Sequence, residues 1–218
     1  MLATILAAAG IGGAAAPVAV DYEIGVVGDY RFRGVSLSDR RPAVQAGAQA
    51  NFASGAYVGV WGSTIDEYAS EGDPHGATVE LDVNVGWIFK AGGLDVDAGL
   101  GAYTYPGARS LAYVEFPLSL SREVGSATLT VSGAYAPKQS ALDRDNIYVA
   151  GSVDWRIGEY GLAVQSGYED GEFAPSGKWD WSAGLTRHFG PVRAEFNYVD
   201  GDGPDTPPGV VAGLAVEF

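Results

Sequence analysis

Cysteine is absent from the 218 residues, which excludes a disulfide framework and any thiolate metal site. Bases are scarce: 13 Lys and Arg stand against 27 Asp and Glu, a net charge of -14. That deficit argues against nucleic acid, and against an anionic membrane surface, as a partner. Histidine occurs only at His75 and His188, so a hydrolase built on a His base has little to draw on. Beyond residue 20 no apolar run reaches the length of a membrane-crossing helix. If this chain crosses a membrane, it does so as a barrel of strands.

What is abundant supports strands. Glycine, 32 of 218, is about twice its usual share and disfavours long helices. Apolar residues make up 47% while the mean hydropathy stays close to zero, so apolar and polar positions are interleaved. Met1–Val20, MLATILAAAGIGGAAAPVAV, is the exception. It is apolar and Ala-rich, with small-residue cleavage sites after Ala16 or Ala19, and reads as a secretory signal peptide although it carries no Lys or Arg. Residues 21–218 are then a single domain.

From Asp21 onward, alternating runs of about ten residues recur between turn signals. They are Tyr22–Arg33, Pro42–Phe52, Ala56–Asp66, a fourth run carrying Val79, Leu81, Val83, Val85, Trp87 and Phe89, Leu94–Tyr105, Ser110–Ser121, Ser126–Ala136, Asp145–Ile157, Tyr160–Glu169, Lys178–Phe189, Val192–Val199 and Gly209–Phe218. In each, one face is apolar and the other polar or small; in Ala56–Asp66 the two faces are least distinct. Soluble barrels alternate in the same way, so three further features decide. Connectors at 53–55, 90–93, 122–125, 158–159 and 190–191 are short. Those at 34–41, 67–75, 137–144, 170–177 and 200–208 are long, with 106–109 short on that side. The even count of twelve puts both chain ends on the short-turn side. Aromatics close the apolar faces at Tyr22, Phe32, Phe52, Tyr57, Trp87, Phe89, Tyr168, Phe189, Tyr198 and Phe218, as two interfacial girdles require. The expected fold is all-β: a transmembrane antiparallel up-and-down barrel of about twelve strands in the bacterial outer membrane.

The stretch Val27-Gly28-Asp29-Tyr30-Arg31-Phe32-Arg33-Gly34-Val35-Ser36-Leu37-Ser38, followed by Pro42-Ala43-Val44-Gln45-Ala46-Gly47, resembles the opening of the TorF-type porin family. The likeness continues in Gly55–Ser63, Glu80–Trp87 and Tyr103–Gly107, and thinly to Phe218. The first block is fairly specific and the others are weak singly. The resemblance implies a Gram-negative outer-membrane channel and brings no substrate with it. The closing strand, ending on Phe218, likewise resembles the assembly signal of such barrels, which implies the barrel-assembly machinery as a partner.

With the polar faces taken as the lumen, candidate pore-lining residues are Asp29, Arg31, Arg33, Glu80, Asp82, Asp95, Asp97, Glu115, Asp154, Arg156, Arg193 and Glu195. Glu23, Glu169, Asp180, Glu217 and Lys178 share those faces. Acids outnumber bases, and a carboxylate wall favours cations. Glu80 and Asp82 are expected to form one acidic wall with Asp95 and Asp97 on the partner strand. Arg31, Arg33, Arg40 and Arg41 gather at one extracellular corner, as a basic stripe facing that wall, as contacts to lipopolysaccharide phosphates by Arg40 and Arg41, or as plain strand-end charge. Asp200-Gly201-Asp202-Gly203-Pro204-Asp205 has the oxygen density of a calcium loop without the late Glu, so a hairpin loop and no metal is expected. The sequence points to passive diffusion of small solutes or ions, without cofactor or catalysis. Its rival is a non-conducting structural or adhesion barrel presenting acidic loops, its lumen filled by paired charges.

Overall fold

The computed structural model describes residues 18–68 and 76–218. Most of the expected signal peptide, most of the 67–75 loop and His75 lie outside the described residues. Twelve strands close into one antiparallel barrel. In chain order they are β1 (Val18–Val27), β4 (Ala43–Phe52), β5 (Ala56–Tyr68), β6 (Ala77–Ala91), β7 (Leu94–Thr104), β8 (Tyr113–Val124), β9 (Ala127–Ala136), β10 (Asn146–Ile157), β11 (Tyr160–Gly171), β12 (Ala174–Phe189), β13 (Val192–Gly201) and β14 (Gly209–Glu217). A separate two-stranded hairpin, β2 (Arg31–Phe32) and β3 (Val35–Ser36), lies between β1 and β4. Every barrel strand pairs with its neighbour in the order, and β1 closes on β14 with Ile24 opposite Val216 and Val26 opposite Leu214.

The period-two pattern sorts side chains between two environments. Ile24, Trp87, Val131, Phe196 and Leu214 point outward and are all half exposed or more. Their partners across the ladders continue the same apolar belt around the barrel. An apolar surface of this extent far exceeds the patches a soluble monomer tolerates, and only hydrocarbon satisfies it. Closure leaves no unpaired strand edge, the condition for sheet to span a bilayer. Most of the expected girdle rings do sit outside: Tyr22, Phe52, Trp87, Phe89, Tyr168, Phe189, Tyr198 and Phe218 are exposed on the outer face.

Several boundaries differ from the sequence expectation. β1 begins at Val18 because Val18 and Val20 extend the outward parity of Tyr22, and their partners Phe52 and Ala50 are in register. It ends at Val27, so Asp29–Arg33 belongs to the inserted hairpin and not to a strand of the wall. The expected 170–177 loop is a tight turn at Glu172-Phe173, since Gly171 at φ 133 lets the chain reverse and pair with Ala174. Conversely, the 106–109 connector is part of a longer excursion that holds a short 3-10 turn, η1 (Arg109–Leu111).

Two of the expected girdle rings are not at the lipid face. Phe32 lies in the inserted hairpin, 6.0 Å from the Tyr103 ring. Tyr57 faces the lumen with Gly59, Trp61 and Ser63, opposite Gly86, Asn84, Asp82 and Glu80. β5 thus turns its aromatics inward and its valines outward, which is why its faces looked indistinct. Gly86 makes this fit: a Cβ there would stand 2.4 Å from the Tyr57 hydroxyl.

Two apolar clusters occupy the inside. Val27, Ala43, Trp61, Val199 and Val211 on inward strand positions pack against Tyr30 and Leu37 of the inserted segment. Tyr105, Ala108 and Leu142, from the 105–112 and 137–145 connectors, pack with Tyr113 and Ala136 near the outer mouth.

Candidate functional site

The segment 28–42 does not extend the barrel wall; it folds into the lumen. Its tip is the two-residue turn Arg33-Gly34, with φ 49 and 84. Positive φ at both central positions matches the turn that joins two right-twisted strands tightly. Gly34 also has no space for a side chain, since a Cβ would come within 3.1 Å of Asp180 Cβ and 3.0 Å of Thr206 Cγ2. Asp29 organises the base of the hairpin. It accepts from Arg31 Nε at 2.5 Å, Ser36 Oγ at 2.6 Å and Ser38 Oγ at 3.3 Å. Ser38 Oγ in turn accepts the Tyr30 amide, and the Leu37 amide donates to the Tyr30 carbonyl. Arg31 Nη1 donates to the carbonyls of Gly34 and Pro207, tying the hairpin to the β13–β14 connector.

From the tip, Arg33 reaches across the lumen. Its guanidinium donates to Glu115 on β8 at 2.7 Å and to Glu169 on β11 at 2.8 Å, and lies 4.4 Å from the centre of the Tyr148 ring on β10. Lys178 on β12 pairs with Glu169 at 2.5 Å and donates to the Arg33 carbonyl at 2.9 Å. Asn146 Nδ2 completes the shell of Glu169. Arg33, Glu115, Glu169 and Lys178 are 7%, 1%, 2% and 5% exposed, so they form a dry, charge-balanced network. Burial alone would depress the Arg33 guanidinium, but Glu115 and Glu169 outweigh it and hold it above its ordinary value. Arg33 therefore stays charged. On the other side of the hairpin, burial and then the Glu80 and Asp82 carboxylates push the Tyr30 phenol well above its ordinary value, keeping it a neutral donor.

The remaining predicted residues sit at other depths. Asp82 lies opposite Tyr103, whereas Asp95 lies opposite Lys90 and Asp97 opposite Ile88. The expected single acidic wall is therefore split: Glu80 and Asp82 lie toward the long-connector end of the β6–β7 hairpin, Asp95 and Asp97 toward its short turn. Asp95 pairs with Lys90, and Asp97 accepts from the Tyr57 hydroxyl at 2.9 Å. Arg193 on β13 pairs with Glu23 of β1, Glu195 of β13 and Glu217 of β14, bracing the seam where the barrel closes. Asp154 and Arg156 are exposed on β10, and Asp154 accepts from Ser152 Oγ.

The four-arginine corner also divides. Arg31 and Arg33 are buried inside, while Arg40 and Arg41 are exposed, Arg41 pairing with Asp66. Asp200 accepts from the Tyr198 hydroxyl and Asp202 from the Trp179 amide, which makes that stretch a hairpin loop braced by its own carboxylates. Phe218 stacks on Tyr22 at 5.8 Å across the seam, and the two residues exchange backbone hydrogen bonds. Lys178, Asn146 and Tyr148 were not singled out as a unit, because nothing in their own strands announces a hairpin arriving from 145 residues away.

A family profile described as a bacterial protein of unknown function, Gcw_chp, matches residues 11–213. The chain belongs to the Gcw_chp family. No curated protein matches this Gcw_chp sequence. Among solved structures, the KdgM porin is similar with a TM-score of 0.63 at 10% identity, over 91% of this chain and 97% of that one. The NanC porin gives 0.59 at 15% identity, over 92% and 99%. The outer membrane phospholipase A from Escherichia coli gives 0.52 at 12% identity, over 91% and 89%. The likeness is one of fold, and it joins the closed apolar-coated barrel in placing this Gcw_chp chain in the bacterial outer membrane. The family that matches carries the Gcw_chp description and not the TorF name.

Proposed function

We propose that this barrel is a narrow, cation-leaning channel for passive diffusion of small ions or solutes, constricted by its own inward hairpin. One observation carries the reading: the hairpin's bases are consumed by Asp29, Glu115 and Glu169, so the rest of the lumen keeps its excess of carboxylates. Glu80, Asp82 and Asp180 line the outer half; Asp97 and Asp154 line the inner half, with Arg156 as an exposed base. Such walls attract cations and repel anions. A KdgM structure is described in complex with oligogalacturonate, a polyanion; the carboxylate excess here disfavours that class of solute. The resemblance to TorF-type porins supports the channel and says nothing of its charge preference. The same barrel class also carries a phospholipase; here His188 Nδ1 faces Glu217 at 3.8 Å, and among the described residues no hydroxyl is hydrogen-bonded to that imidazole, as acyl transfer would need.

The packed outer mouth favours a second reading, a barrel closed at rest. Leu142 and Ala108 are buried there beneath their own connectors, and the hairpin tip is dry. Planar-bilayer recording of the refolded protein separates the two. Conductance steps with a cation-selective reversal potential are expected. Silence at all voltages refutes the channel, and an anion-selective reversal refutes the charge argument. As further parts of this proposal, cleavage after Ala16 keeps β1 whole, Arg40 and Arg41 meet lipopolysaccharide phosphates, and the closing strand is read by the assembly machinery.

A further inference from the structure

Three of the lumen's buried carboxylates are answered by bases, and two neighbours are not. Asp29 has Arg31, Glu115 has Arg33, and Glu169 has both Arg33 and Lys178. Glu80 and Asp82 stand two residues apart on the inward face of β6, only 2% and 8% exposed, with no base within ion-pair distance among the described residues. Glu80 Oε1 accepts from the Tyr105 hydroxyl at 3.0 Å. The Tyr30 phenol also bears on the Glu80 carboxylate, while Glu80 Oε2 and Asp82 Oδ1 are each buried without a close hydrogen-bond partner among the described residues. Asp180 also has an oxygen without a partner, but it lies two residues from Lys178 on the same face of β12 and takes the Tyr148 hydroxyl. Among the described residues, the Glu80–Asp82 side of the chamber faces Trp61 and Ser63 across β5, Tyr103 and Tyr105 along β7 and its connector, and Tyr30 from the hairpin.

We infer that Glu80 and Asp82 hold one divalent cation of the hard, oxygen-preferring kind, Ca²⁺ or Mg²⁺. Two carboxylates match the charge of one such ion, and carboxylate oxygens suit these cations. Burying two unanswered anions side by side is unfavourable, and a bound cation removes both penalties at once. The site lies against Tyr30, so the ion also fastens the hairpin to β6 on the side opposite Arg33. The inference rests on the cation-leaning reading only for the sign of the lumen's charge; it does not require conduction.

Terbium is the probe, since Trp61 lies opposite Asp82 and can sensitise its luminescence. The refolded barrel in detergent is expected to give terbium emission on tryptophan excitation, displaced by added Ca²⁺. The Glu80→Gln/Asp82→Asn double variant should lose that emission. The control Glu195→Gln, at the far end of the lumen, should keep it. Ca²⁺ should also raise the thermal unfolding midpoint of the unsubstituted barrel and leave that of the double variant unmoved. No emission, or emission and midpoint shift unchanged in the double variant, overturns the site. Bilayer recording of the same samples separates the two proposals. A barrel that binds terbium yet is silent refutes the channel alone, and one that conducts without terbium emission refutes the site alone.

Discussion

Replacing Arg33 with alanine removes the cation that holds the hairpin tip between β8 and β11. Among the described residues, Glu115 then keeps the Tyr103 hydroxyl, at 3.3 Å, while Glu169 retains Lys178 and Asn146. Breaking a buried ion pair by deleting one partner costs about 3–5 kcal/mol. Because Glu169 remains answered, the low end applies, about 3 kcal/mol. That shifts the balance between docked and undocked hairpin by roughly a hundredfold. The barrel itself should survive, since its ladders run from strand to strand without passing through the hairpin. The assays follow from this division. R33A should keep heat-modifiable migration on gels, open the bond after the buried Arg31 to trypsin, and raise single-channel conductance. Adding Glu115→Gln to R33A should restore part of the protection, because a neutral amide no longer strands a buried charge. If R33A matches the unsubstituted protein in both conductance and trypsin resistance, the hairpin is not held by this network.

Three other outcomes are expected. Arg193→Ala leaves Glu23, Glu195 and Glu217 facing one another at the seam, so the unfolding temperature in detergent should fall; the site is partly solvated, so the loss should be smaller than for a dry pair, about 1–2 kcal/mol. Deleting Phe218 should lower membrane yield more than it alters conductance, and an intact yield would refute an assembly role for this ring. Burial, followed by Glu80, raises the phenols of Tyr30 and Tyr105 above their ordinary values, so both contribute stability that is fully present below about pH 10 and is lost as pH rises beyond it. Absorbance at 295 nm during an alkaline titration should show these two phenols ionising late; ionisation at ordinary pH would contradict their packing.

The barrel wall was legible in the sequence because lipid on one side and water or polar lumen on the other impose a strict two-residue period. Runs such as Val79–Phe89 carry that demand in every residue. β5 was harder to assign because its inward face carries Tyr57 and Trp61, rings that ordinarily signal the lipid interface. The inserted hairpin was misplaced for a related reason. Tyr30-Arg31-Phe32-Arg33 alternates like the strand before it, and only the Arg33-Gly34 pair hints that the chain reverses. The acidic excess could be counted from composition, but not which carboxylates are answered. That depends on where Arg33 and Lys178 arrive, a matter of contacts 82 to 145 residues apart in sequence.

Those separations also impose an order of events. The hairpin leaves the ribosome early, between the first two wall strands, yet its anchors Glu115, Glu169 and Lys178 belong to strands made much later. It has nothing to grip until β8, β11 and β12 stand in register around it, and the chain entropy lost in bringing such distant residues together precedes the gain from their contact. The lock thus doubles as a checkpoint on construction: the tip is secured only once those three strands stand in place, so a docked hairpin marks a wall already complete from β8 to β12.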